Sequence, residues 1–145
     1  MNPYSPIKMV GQVRIEKNGI LHYEGPNVVV TSGKEWIASR IAESPSPAPN
    51  EMNYIAIGTD NTAGTIADTA LGTEIARTSI PASTSSSNQA IFIGTFDAGT
   101  GTGALVEAGI FDAASGGTML ARYVFPVVNK DAADYVTVYW SIQVL

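Results

Sequence analysis

Apolar and polar residues alternate most regularly over Asp134–Leu145 (DYVTVYWSIQVL), where Val136, Val138, Trp140, Ile142 and Val144 share one parity and Tyr135, Thr137, Tyr139, Ser141 and Gln143 the other. A period of two predicts a strand with one buried face. Nearly every residue is β-branched or aromatic, the types that suit a pleated, half-buried surface. A helix would scatter the five apolar residues around its circumference. The stretch therefore reads as a central strand, with Trp140 in the core and the two tyrosines on a face that meets water or another protein.

The same pattern recurs in shorter pieces. Residues 8–16 and 20–24 flank Asn18-Gly19, the strongest short hairpin signal. Gly25-Pro26 reads as a turn and residues 27–31 (NVVVT) as a short buried strand. Further strands are expected at 54–58 (YIAIG), within 71–80, at 89–96, and as a hairpin of 105–111 and 119–125. Residues 59–69, 81–88 and 98–103 are rich in Gly, Ser, Thr, Asn and Asp and read as polar loops.

One helix stands out, at 32–44. Ser32 and Glu35 have the Ser-x-x-Glu spacing of a capping box, and Ile37 and Ile41 lie one turn apart. The prolines of SPSPAPN (44–50) cannot continue it. Seven to nine short strands, one short α-helix and many polar turns predict an all-β chain, an antiparallel β-sandwich of jelly-roll-like type. Residues 1–7, with Pro3 and Pro6, read as an extended N-terminal arm, and 8–145 as a single β-sandwich domain.

Composition narrows the function. The 145 residues contain no cysteine, which excludes disulfides and thiolate chemistry. A net charge of −5 argues against tracking nucleic-acid phosphates. No signal peptide and no membrane-spanning apolar run is apparent.

The chemistry-bearing residues form no convincing site. His22 stands alone, with no nucleophile elbow for it to serve. Ser32-Gly33-Lys34 lacks the upstream glycine of a phosphate loop. Asp60, Asn61 and Asp68 lack the ligand spacing of a calcium loop and read as turn formers. Gly99–Gly103 reads as a hairpin turn. Glu74 with Arg77, and Glu107 with Arg122 across the 104–125 hairpin, read as structural ion pairs. No catalytic, cofactor or metal residue is expected, and an enzyme is the least expected class.

Three segments resemble a group of small virion structural proteins of tailed bacteriophages, found as tail-fibre or head-associated proteins. NVVVTSGKEWIASRIAE (27–43) is similar to the group's "N-x-V-x-x-x-G, then a helix" opening. YIAIGTDNTAGTIADTALGTEIARTSI (54–80) is similar to its "I-x-x-I-A-I-G-T … D-T-x-L-x-x-E-x-x-R" run. VEAGIFDAASGGTMLARYVFP (106–126) is similar to its "E-x-G-L-F-N-A … G-T-M-L-A-R" hairpin. The resemblance implies an all-β virion component without catalytic residues.

The leading expectation is a capsid decoration (cement) protein that binds the major capsid protein as a homo-oligomer, a trimer by preference. It would be made in the host cytoplasm and reside in the virion. The alternative is a tail, baseplate or fibre-attachment protein, against which the absence of a repetitive shaft counts. A carbohydrate-binding module, stacking sugars on Tyr123, Tyr135 and Tyr139, comes third. The expected partner-binding residues are Pro3, Tyr4 and Pro6 of the arm and Tyr135 and Tyr139 of the last strand; neither nucleic acid nor membrane is an expected partner.

Overall fold

The computed structural model describes residues 6–145. Its strands are β1 (Met9–Lys17), β2 (Ile20–Pro26), β3 (Val28–Val29), β4 (Tyr54–Gly58), β5 (Glu74–Ser79), β6 (Thr84–Ser86), β7 (Gln89–Phe96), β8 (Gly103–Phe111), β9 (Met119–Lys130) and β10 (Val136–Val144), with the helix α1 (Thr31–Ala42) between β3 and β4. They form two five-stranded antiparallel sheets, ordered β2-β1-β10-β7-β6 and β3-β9-β8-β4-β5. The chain passes between the sheets at β2–β3, β5–β6, β7–β8 and β9–β10. The fold is the expected all-β sandwich.

β10 is central, paired with β1 and with β7. Val136, Val138, Trp140 and Ile142 are buried in the core between the sheets. Trp140 is fully buried, opposite Val13 and Phe92, and its indole N–H donates to Asn27 Oδ1 at 2.8 Å. Val144, expected in the core, is instead 41% exposed, because it lies at the end of the sandwich. The Asn18-Gly19 turn adopts positive φ at both residues, 53° and 77°, the geometry that matches the twist of the flanking strands.

Several boundaries differ from expectation. Ten strands are present among the described residues. Gly25-Pro26 belongs to edge strand β2 and pairs with β1, with Gly25 opposite Val13. Within the expected 81–88 loop, Thr84–Ser86 pairs with Gln89–Ile91. β9 continues past Pro126 to Lys130, because its register with β8 shifts between Leu105 and Glu107 and the proline sits in that irregularity, a place where its missing N–H disrupts no ladder.

The capping box is absent. The N-cap is Val30 and makes no side-chain cap bond, so Ser32 and Glu35 lie inside the helix. Tertiary contacts start the helix early: Val30 is buried, its N–H donates to Leu120 O at 3.2 Å, and Thr31 N–H donates to Ile66 O at 2.9 Å. Gly33 lies against β9 so closely that a Cβ there would stand 2.3 Å from Leu120 O. The helix holds the proline segment through Trp36 Nε1 to Asn50 O (2.8 Å) and Arg40 Nη1 to Pro49 O (2.9 Å). Ile37 is half-buried, and Ile41, expected to pack beside it, is 80% exposed.

Candidate functional site

Pro3 and Tyr4 lie outside the described residues, and Pro6 is exposed where the chain approaches β1. Polar residues of β1 and β2 form a mesh on the outward face of the first sheet, beside exposed Ile93 of β7. Arg14 pairs with Glu16 (3.4 Å) and Glu24 (3.3 Å), and Gln12 Nε2 donates to Glu24 Oε1 at 2.7 Å. Tyr139 is half-buried within this mesh, with the Arg14 guanidinium 5.2 Å from its ring centroid. A hydrogen bond with Glu16, joined by desolvation, pushes the Tyr139 hydroxyl pKa up.

Tyr135 is 43% exposed. Its N–H donates to Asn18 Oδ1 at 3.1 Å and its carbonyl accepts from Asn18 N–H at 2.9 Å, so its backbone is anchored to the β1–β2 turn. Tyr139 and Tyr135 thus share a face, and Arg14 occupies one side of the Tyr139 ring. Tyr123 is buried and stacks on Phe125 at 5.4 Å. It is not available to a sugar, which corrects that part of the expectation. Two shallow depressions of about 250 Å³ each run along the face, beside Gln12, Ser141 and Gln143 and beside Arg14, Glu24 and Tyr139.

The second sheet carries a buried charge cluster. Glu107 and Arg122 point outward from β8 and β9, yet both are buried, because the 59–73 loop folds over them. Arg122 Nη2 and Nε donate to Glu107 Oε2 at 2.9 and 3.1 Å. Its remaining donors reach Thr62 O (2.9 Å), Asp68 Oδ2 (3.2 Å) and Asp60 O (3.2 Å), which uses all five N–H groups of a guanidinium. Glu107 also accepts from the N–H groups of Thr73 (2.8 Å), Gly72 (3.0 Å) and Asp60 (3.2 Å). The expected Glu107–Arg122 ion pair is therefore present, and it fastens the loop to the sheet. The Glu74–Arg77 pair is present as well, at 2.7 Å, and Arg77 lies over the Phe111 ring, 3.8 Å from its centroid.

Asp60 and Asp68, which lack calcium-loop spacing in the sequence, are engaged within this loop. Asp60 Oδ1 accepts from the N–H and hydroxyl of Thr62, which hold its pKa below the usual carboxylate range. Burial pushes Asp68 upward, but the N–H and hydroxyl of Thr65 together with Arg122 outweigh it, and its pKa also lies low. Among the described residues no group of three or more His, Asp or Glu side chains is placed to hold a metal ion.

A third feature was not foreseen. Between α1 and the start of β1 runs an apolar groove of about 810 Å³. Half-buried Met9, Val29 and Ile37 line it together with exposed Ile7, Val10, Ile41 and Val144, and Lys8 and Lys34 border it. It forms because antiparallel pairing sets Met9 opposite Val144 and because α1 lies close on β9. The apolar character of these residues is visible in sequence, but their convergence is set by long-range pairing. No family model, curated protein or solved structure matches this chain.

Proposed function

We propose that this protein is a structural component of a tailed-phage virion, a capsid decoration protein that docks on the major capsid protein through the corner where its N-terminal arm meets the sandwich. The observation that carries this reading is the apolar groove at that corner, with Ile7 74% and Ile41 80% exposed beside it. Soluble domains seldom leave large aliphatic side chains clustered in the open unless a partner covers them. The sequence resemblance supplies the class of partner. The buried charges of the second sheet have their partners within the chain and fasten the 59–73 loop to the sheet.

A homo-oligomer, a trimer by preference, suits a symmetric shell, where repeated weak contacts add through multivalency. Pro3, Tyr4 and Pro6 remain the proposed arm contacts, since a proline-restricted segment loses less entropy when it orders on a partner. Tyr135 and Tyr139 are the secondary contact residues, on the open face of the first sheet. Quantitative protein analysis of purified particles tests the reading. A copy number close to that of the major capsid subunit is expected. A dozen copies or fewer would move the protein to the tail or baseplate.

A further inference from the structure

We infer that the groove between α1 and the start of β1 receives an apolar segment of a partner protein flanked by carboxylates; only the partner's identity as a shell protein rests on the proposed function. The argument begins with the cations. The chain has eight Lys and Arg residues against thirteen Asp and Glu. Arg14, Lys17, Arg77 and Arg122 pair with carboxylates. Arg40 and Lys130 donate to the backbone carbonyls of Pro49 and Asp97. Lys8 and Lys34 alone make no such contact among the described residues, and both border the apolar groove. No acidic side chain is among the residues that line it.

An acidic chain thus places the two lysines whose ammonium groups have no partner among the described residues beside an apolar floor. A docked aliphatic face would cover Ile41, Ile7 and Val144. Carboxylates at its flanks would meet the two ammonium groups where bulk water is partly displaced and their attraction is stronger. An amphipathic helix or a short extended segment laid along a groove is a familiar way of meeting such a surface.

Two probes separate charge from apolarity: the anionic dye anilinonaphthalene sulfonate and uncharged Nile red. Both should bind the intact protein, and Ile41→Asp should abolish both. Lys8→Gln with Lys34→Gln should weaken the anionic dye about tenfold, the scale of two exposed pairs, and leave Nile red unchanged. Melting curves confirm that each variant is folded. In parallel, the protein is titrated onto shells purified without it. Binding should weaken with added salt and fall in Lys8→Glu with Lys34→Glu.

Dye binding indifferent to all of these substitutions overturns the inference. So does dye binding that appears only after residues 1–5 are removed, which assigns the groove to the chain's own arm. Self-association that the same substitutions abolish gives it to a second copy and overturns the inference as well. Shell binding unchanged in the charge-reversed variant overturns it and leaves the virion reading standing. Absence of shell binding beside the expected dye behaviour overturns the virion reading alone.

Discussion

The outer faces of the two sheets differ in what lies over them. On the first sheet, the outward residues of β1, β10 and β7, such as Arg14, Tyr139 and Thr95, remain in reach of water and bond to one another. On the second, Val30, Leu71, Ala56, Phe111 and Met119 form a second buried cluster, and the 59–73 loop closes over Glu107 and Arg122. The same strand architecture therefore supports one wet face and one roofed face. The difference lies in what crosses over the strands, and the roof is held by buried charge and by one close helix–strand approach. The apolar groove opens where the helix of that roof meets the start of β1.

The contrast is most easily broken at the roof. Arg122→Leu leaves Glu107 buried without its counter-charge and frees the carbonyls of Asp60 and Thr62, so a loss of about 3–5 kcal/mol is expected, read as a lower denaturant midpoint. Gly33→Ala should cost about 1–3 kcal/mol through overpacking against Leu120. Helix propensity alone would favour alanine by about 1 kcal/mol, so the sign of the change measures how tightly the helix is seated.

Acid should loosen the roof in a defined direction. Burial raises the Asp68 pKa, but the Thr65 bonds and Arg122 bring it below the ordinary value, and the Thr62 bonds do the same for Asp60. A carboxylate with a depressed folded pKa contributes stability above its unfolded value of about 3.9 and loses it as the pH falls through the folded value. Unfolding free energy should therefore decline below about pH 5, and Asp68→Asn should flatten that decline. The smallest effect belongs to the open face. Arg14→Ala, which removes exposed ion pairs and the contact with Tyr139, should shift stability by no more than about 0.5 kcal/mol, measured in the same denaturation experiment.

How far the sequence could be read follows the same division. Alternation is plain in β10, because its polar parity meets the wet face. It is blurred in β8 and β9, where Glu107, Gly109 and Phe111 point outward and are buried all the same. The β1–β2 turn was legible because Asn18-Gly19 dictates its own geometry. The helix start was not, because Val30 is fixed by Leu120 and by a buried cluster distant in sequence. Glu107 and Arg122 could be paired by their places on a hairpin, whereas Asp60 and Asp68 reach them only once the loop closes. Of the expected contact residues, Tyr135 and Tyr139 do share a face, but the groove depends on Ile7, Ile37, Ile41 and Val144 being brought together by register and by the seating of the helix.

Hydrogen exchange on the free protein and on the protein bound to particles tests the docking claim most directly. Slower exchange on binding is expected across residues 7–10 and 31–42, with the 59–73 loop and the outward face of β10 unchanged. Protection confined to β10 and β7, with α1 exchanging as it does in the free protein, would contradict the account and place the contact on the tyrosine face.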